Sequence, residues 1–179
     1  MSWPNFFTFL RLLLTPIFII CFMNRHLGIA TVTFLMAGIT DGIDGFLARR
    51  LNQKSSLGAC LDPIADKLLL SSAFVLLAWY RYIPSWLAVV VLSRDVFILL
   101  GVLLFFLFNI SFEVKPSLLG KATTVTQILT VFIVLINVQI HFSSFQMLVP
   151  IGIYATLFLT IISGSHYGFK GYKIMTKVL

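Results

Sequence analysis

The chain has 179 residues, of which 59% are hydrophobic and only 11% are charged, and its formal net charge is +7. A soluble domain carries about 25% charged residues, so this composition excludes a surface that faces water throughout and predicts an integral membrane protein. The length favours a single domain over residues 1–179.

Six apolar stretches follow one another along the chain, each close to the roughly 20 residues that cross a bilayer. They are Phe6–Met23, Leu27–Arg49, Leu61–Tyr80, Ile83–Phe108, Ser117–Val138 and Met147–Phe169. A backbone that spans a membrane must satisfy its own hydrogen bonds, so all six are predicted to be helices. The first stretch has no basic n-region and no small-residue cleavage site, so a cleavable signal is not expected.

The second stretch contains Asp41-Gly42-Ile43-Asp44-Gly45, which locally resembles a turn. If the helix ended at Thr40, only about 14 residues would remain from Leu27, too few to span a bilayer. We therefore predict that the helix continues to Arg49.

The basic residues lie between the apolar stretches and form no nucleic-acid-binding arm, so membrane topology and anionic phosphates explain them better. Alternate connections hold only Arg25 and Arg81. The other connections and the tail hold Arg49, Arg50, Lys54, Lys115, Lys121, Lys170, Lys173 and Lys177. The positive-inside rule then places both termini in the cytoplasm and agrees with six spans. Cys21 and Cys60 lie in or beside apolar stretches and suggest no disulfide framework.

Four of the six acidic residues are concentrated in one short region. Asp41 and Asp44 are three residues apart, and Asp62 and Asp66 are four apart, so each pair lies on one helix face. Four carboxylates repel one another unless cations neutralise them, and an all-oxygen site suits Mg²⁺ or Mn²⁺. Two such ions could clamp a diphosphate for in-line attack at phosphorus.

The neighbouring residues fit a phosphate ligand, although other interpretations stay open. Gly45 and Ala48 share a face with Asp41 and leave room for a ligand, and Arg49 could meet phosphate oxygens. Alternatively, the carboxylates pair with Arg49, Arg50 and Lys67 as helix contacts, line a cation pathway in a transporter, or belong to a purely structural membrane subunit.

The whole pattern resembles the signature of CDP-alcohol phosphatidyltransferases, with eight fixed positions over 26 residues: Asp41-x-x-Asp44-Gly45-x-x-Ala48-Arg49, eight residues, then Gly58-x-x-x-Asp62-x-x-x-Asp66. The resemblance implies an all-α bundle of six transmembrane helices, usually a homodimer. It also implies an active site open to the cytoplasmic side, here of a bacterial cytoplasmic membrane.

The resemblance also implies a role for each residue of the signature. Asp41, Asp44, Asp62 and Asp66 would hold two metal ions, and Asp66 would be the catalytic base on the acceptor hydroxyl. The residues that would bind CDP are Gly45, Ala48, Arg49 and Gly58, joined by Asn5 and Thr8 from an opening similar to that of many members. Asn5 fits equally well as the N-cap of the first helix.

The acceptor is indicated by later residues. The stretch Gly120-Lys121-Ala122-Thr123-Thr124-x-x-Gln127 resembles phosphatidylglycerophosphate synthases, so Arg94 and Lys121 could bind the phosphate of glycerol 3-phosphate. Thr123 and Asp95 depart from that pattern, which often has Lys and Glu there, and this leaves cardiolipin synthases, with phosphatidylglycerol as acceptor, as the alternative. We expect Asp95 to pair with Arg94 or another basic group, because an isolated charge in a span is costly.

Overall fold

The computed structural model is all-helical wherever it describes the chain. Its six helices are α1 (Trp3–Met23), α2 (Leu27–Leu51), α3 (Ser56–Trp79), α4 (Ser85–Leu107), α5 (Leu118–Ile140) and α6 (Ser143–Val178). The structure describes the backbone of residues 3–51, 56–107, 117–140 and 143–178. Within them it describes the side chains of 9–40, 67–101, 103, 104, 107, 117–140, 147–171, 173 and 176.

Each of the six predicted helices is present, and two of them differ from the prediction by five residues or more at one end. Helix α2 runs without a break from Leu27 to Leu51, so the extended helix through Asp41-Gly42-Ile43-Asp44-Gly45 is confirmed. Helix α3 begins at Ser56 instead of Leu61, and α6 continues to Val178 instead of ending at Phe169. Hydropathy detects the apolar part of a helix, and the lysine-rich end of α6 lies beyond it.

The described side chains show apolar groups outside and polar groups inside. Large apolar residues such as Phe97, Leu118 and Phe158 are more than half exposed. The buried polar and charged residues are Arg11, Thr15, Thr31, Thr33, Thr40, Arg94, Thr123, Gln127, Thr130, Thr156, Thr160 and Ser163. An apolar exterior of this kind suits contact with lipid tails, where polar groups have to turn inward.

Two helical segments are long and apolar enough to cross a bilayer by length and composition, as judged on the described residues. They are Leu118–Ile140 and Met147–Gly171, and three shorter apolar segments accompany them: Phe9–Met23, Leu27–Thr40 and Lys67–Trp79. The segments match five of the six predicted spans, but two long ones do not by themselves establish how many helices cross.

Hydrogen bonds between small polar side chains hold α5 against α6. The Thr130 hydroxyl lies 2.9 Å from the Thr156 hydroxyl and donates to the Gly152 carbonyl oxygen at 3.1 Å. About two helical turns before Thr130 in α5, the Thr123 hydroxyl donates to the Leu159 carbonyl oxygen at 3.2 Å. An added Cβ at Gly152 would lie 3.0 Å from Thr130 Oγ1, so glycine permits this close approach. Such contacts are the usual means of helix association where lipid removes the hydrophobic drive between helices.

The α1–α2 and α3–α4 turns contact each other at one end of the bundle. Arg25 Nη1 donates to the Tyr82 hydroxyl at 2.8 Å, and its guanidinium lies 4.4 Å from the centre of the Tyr80 ring. Arg25 and Arg81 end their helices with φ values of 64° and 60°. The left-handed conformation costs a non-glycine residue about 1–2 kcal/mol, which glycine would avoid.

The two turn arginines should therefore respond differently to glycine. Arg81→Gly should raise the free energy of unfolding by about 1 kcal/mol, because it relieves the φ strain and the Arg81 side chain forms no hydrogen bond, ion pair or ring contact among the described residues. Arg25→Gly relieves the same strain but loses the contacts with Tyr80 and Tyr82, so it should give no net gain. Thermal unfolding of both variants in the same detergent measures the difference, and equal shifts would contradict the role of Arg25.

Candidate active site

The predicted acidic cluster lies on two consecutive helices, α2 and α3. Asp41 and Asp44 lie in the second half of α2, and Asp62 and Asp66 lie in the first half of α3, near the connection between the two helices. These four side chains lie outside the described ones, as do the predicted CDP-binding residues Asn5, Thr8, Gly45, Ala48, Arg49 and Gly58. Within the described side chains, no group of three His, Cys, Asp or Glu residues could hold a metal ion. The metal, base and CDP assignments therefore stay predictions.

A small cavity lies between four helices in the interior of the bundle. It is lined by Arg11 of α1, Gly38 of α2, Leu70 of α3 and Thr124 of α5, with apolar residues around them. Arg11 is 1% exposed, so its guanidinium is enclosed by protein. A buried cation is stable only beside oxygen ligands or anions, so this part of the interior favours negative charge.

The helix register relates this cavity to the acidic cluster. Asp41 follows Gly38 by three residues in α2, and Asp66 precedes Leu70 by four residues in α3. Residues three or four apart share a face of a helix. The register therefore predicts that Asp41 and Asp66 lie on the helix faces that line the cavity, one turn nearer the α2–α3 connection.

The structure describes a charged cluster that includes Lys67, the residue after Asp66. Lys67 Nζ donates to Asp95 Oδ1 at 2.6 Å, and Arg94 Nη1 donates to the same oxygen at 2.7 Å. The prediction that Asp95 pairs with a basic group is confirmed, with two partners instead of one. Lys67, which one interpretation paired with the acidic cluster, forms an ion pair with Asp95 of α4.

Arg94 is held from three sides and is 8% exposed. Besides its bond to Asp95, its Nη2 donates to Ser163 Oγ on α6 at 2.8 Å. The guanidinium carbon lies 5.8 Å from the centre of the Tyr167 ring, within the range of a cation–π contact. Arg94 therefore lies in a network of protein groups that joins α3, α4 and α6, and its contact with the acceptor stays a prediction.

The Tyr167 hydroxyl connects this network to the start of α5. The Ser117 backbone N–H donates to it at 3.1 Å, and the Gly120 N–H donates to Ser117 Oγ at 3.0 Å. Ser117 is thus the N-cap of α5. Lys121, four residues later, has an exposed side chain, as a residue that binds a soluble anion requires.

The charges of this region do not cancel. Lys67 and Arg94 share one carboxylate, so the Lys67–Asp95–Arg94 group carries a formal charge of +1, and Lys121 adds another positive charge at the start of α5. Two of the three basic groups, Lys67 and Lys121, are at least partly accessible. The arrangement suits a ligand with a negatively charged group.

Sequence reasoning named Arg94 and Lys121 for the acceptor but assigned no such role to Lys67, Ser163 or Tyr167. The signal for Ser163 and Tyr167 was the closing pattern Ser163-Gly164-x-x-Tyr167, in which the two residues lie one helical turn apart and on one face. Lys67 had no comparable signal, since its partner is 28 residues away on another helix.

Comparison with known proteins identifies relatives over most of the chain. Residues 1–162 match the family model of the CDP-alcohol phosphatidyltransferases. The CDP-diacylglycerol–glycerol-3-phosphate 3-phosphatidyltransferase of Bacillus subtilis (strain 168) is 32% identical, with 96% of each chain covered. The protein of the same name from Aquifex aeolicus (strain VF5) is 30% identical over 99% of each chain. The human cardiolipin synthase (CMP-forming) is 34% identical over 72% of this chain, which spans 48% of that relative.

The close packing at Gly120 allows a test of the connection between α5 and α6. An added Cβ would lie 2.9 Å from the Tyr167 hydroxyl oxygen, so Gly120→Ala should displace the ring and lower the free energy of unfolding by about 1–3 kcal/mol. Tyr167→Phe removes the obstructing oxygen, so the double variant should lose about 1 kcal/mol less than the sum of the single variants.

Gly101→Ala is the matched control, because no atom of the described part of the chain lies within 4 Å of its added Cβ. It should leave stability unchanged or raise it by up to about 1 kcal/mol through helix propensity. Strict additivity of Gly120→Ala and Tyr167→Phe in a thermal double-mutant cycle would contradict the described contact.

Proposed function

The chain belongs to the CDP-alcohol phosphatidyltransferase family, and we propose that it transfers a phosphatidyl group from CDP-diacylglycerol to an alcohol, with release of CMP. It is a membrane transferase of phospholipid biosynthesis. The observation that carries the proposal is the complete signature from Asp41 to Asp66 on the consecutive helices α2 and α3. Family membership also favours an enzyme over the transporter and structural-subunit alternatives.

Glycerol 3-phosphate is the acceptor that the findings favour, which makes the chain a phosphatidylglycerophosphate synthase. Two relatives named for this acceptor match almost the whole chain at 32% and 30% identity. The excess positive charge of the Lys67–Asp95–Arg94 group, together with Lys121, suits the phosphate of this acceptor.

The proposed reaction is a displacement at the phosphorus that is joined to diacylglycerol. The acceptor hydroxyl oxygen forms a bond to this phosphorus, the bond from phosphorus to the oxygen of the CMP phosphate breaks, and the hydroxyl proton passes to Asp66. Asp66 has to be ionised to accept that proton. Arg49 and the small residues Gly45, Ala48 and Gly58 would position the CDP group.

We propose that Asp41, Asp44, Asp62 and Asp66 hold two Mg²⁺ or Mn²⁺ ions. The donor set supports this, because all four side chains are carboxylates and the helix register predicts that Asp41 and Asp66 share faces with Gly38 and Leu70, which line one cavity. When bound, such ions neutralise the carboxylates and the diphosphate of the donor and stabilise charge on the departing phosphate.

Phosphatidylglycerol is the second candidate acceptor, which would make the chain a cardiolipin synthase. One observation favours it: Thr123 is fully buried, and its hydroxyl bonds to α6 at the Leu159 carbonyl. Position 123 therefore adds no positive charge to the acceptor site, whereas an enzyme that binds glycerol 3-phosphate would use such a charge. The 34% identity to the human cardiolipin synthase agrees with this alternative.

We further propose six membrane spans, cytoplasmic termini, a cytoplasmic active site in a bacterial cytoplasmic membrane, and a homodimer. The helix bounds and the alternation of basic connections support the six spans and their orientation. Labelling of single introduced cysteines from either side of membrane vesicles tests the orientation, and labelling of the tail from the outside would contradict it.

The activity test uses purified protein, CDP-diacylglycerol and a panel of acceptors. We expect CMP release with Mg²⁺ or Mn²⁺ and loss of release with a chelator. Glycerol 3-phosphate should give the highest rate, followed by phosphatidylglycerol, whereas serine and inositol phosphate should give none. The highest rate with phosphatidylglycerol would instead establish the second candidate, and no release with any acceptor would refute the transfer.

The base assignment predicts a selective loss. Asp66→Asn should lower the rate of CMP release by about 10²–10⁴-fold, because the amide cannot accept the hydroxyl proton. The control is Glu113→Gln, which removes the same charge outside both acidic pairs and should retain activity. The assignment would be contradicted by Asp66→Asn protein that unfolds at the same temperature as wild type and still releases CMP at the wild-type rate.

A further inference from the structure

The most unusual charged contact among the described residues is the sharing of one carboxylate oxygen by two cations. Asp95 Oδ1 accepts from Lys67 Nζ at 2.6 Å and from Arg94 Nη1 at 2.7 Å. Asp95 and Arg94 are almost fully buried, with 9% and 8% of their side chains exposed, whereas Lys67 keeps 38%. Arg94 is thus the enclosed partner and Lys67 the accessible one.

The contacts around this carboxylate join three helices. Lys67 belongs to α3, Arg94 and Asp95 belong to α4, and Ser163 on α6 accepts from Arg94 Nη2. Lys67 directly follows Asp66, so its position along α3 is set together with that of the proposed base. A shift of Asp95 would therefore change the relative positions of both cations near the reacting groups.

We propose that Asp95 is a positioning residue that holds Lys67 and Arg94 as one cationic unit, and that this unit receives the phosphate of the acceptor alcohol. The proposal rests on the proposed function and adds Lys67 as the accessible cation of the acceptor site. Both candidate acceptors carry such a negatively charged phosphate group, as a monoester in glycerol 3-phosphate and as a diester in phosphatidylglycerol.

The charge balance distinguishes this role from a purely structural ion pair. An ion pair that only joins helices needs one cation for one carboxylate, and here Arg94 alone would satisfy Asp95. The second cation, Lys67, keeps 38% of its side chain exposed, so it stays accessible to a further anion. A phosphate bound at Lys67 supplies that anion.

The test compares steady-state kinetics of full-length wild type, Asp95→Asn, Asp95→Glu and Ser163→Ala with both acceptors. Asp95→Asn should raise the KM of the acceptor by about tenfold or more and leave the KM of CDP-diacylglycerol within about twofold. Asp95→Glu should recover most of the acceptor affinity. Ser163→Ala keeps all the charges and removes one bond to Arg94, so it should give a smaller change of the same kind.

Thr130→Val is the control, since it removes a contact between α5 and α6 that involves no charged group. It should leave both KM values unchanged. A purely structural role of Asp95 predicts that Asp95→Asn lowers the amount of folded enzyme and changes neither KM, and that result would overturn the proposal.

A second measurement separates this proposal from the proposed function. Lys67 is labelled with an amine reagent and followed by mass spectrometry, with and without glycerol 3-phosphate or vesicles that contain phosphatidylglycerol. The preferred acceptor should slow labelling of Lys67 in wild type but not in Asp95→Asn. Protection of Lys67 from labelling without CMP release would refute the proposed transfer but support the phosphate site. CMP release with no protection of Lys67, and with the same acceptor KM in Asp95→Asn as in wild type, would refute only the proposed role of Asp95.

Discussion

A helix bundle with an apolar exterior has to satisfy its polar side chains within itself, and this requirement arranges most of the described structure. Threonine hydroxyls donate to backbone carbonyls or to one another, and Gln127 and Ser163 are buried between helices. The helices approach closely where glycine leaves space, as at Gly152. Association therefore relies on packing and hydrogen bonds, because lipid offers no hydrophobic drive between helices.

The same requirement gives two regions of the bundle different properties. At the α1–α2 and α3–α4 turns, Arg25 lies over aromatic rings and forms a hydrogen bond with Tyr82, so the charge is satisfied by neutral groups. Near the middle of α3 and α4, the Lys67–Asp95–Arg94 group instead brings two cations to one carboxylate. The turns stabilise the fold, whereas the second region has an accessible cation, Lys67, that can contact a phosphate ligand.

The sequence predicted the helices well because each apolar stretch is determined locally. Helix α2 could be extended through its glycines because a span needs a minimum length, and the structure agrees. The end of α6 was less predictable, since its last turns are rich in lysine and carry no hydropathy signal. The pairing of Lys67 with Asp95 could not be predicted, because it depends on how α3 and α4 pack and not on any spacing within one helix. The acidic signature was recognisable because its members lie within 26 residues of sequence at fixed spacings.

The shared carboxylate also explains how the acceptor site and the proposed base could act together. Asp95 binds a residue next to Asp66 on α3 and a residue held by α6, so the position of the base depends on helices that contribute nothing to the acidic cluster. Under the proposed function, a phosphate bound at Lys67 would place the acceptor hydroxyl beside Asp66 with little further ordering. The proposal then assigns the donor chemistry and the choice of acceptor to different residues, which are neighbours in the chain at Asp66 and Lys67.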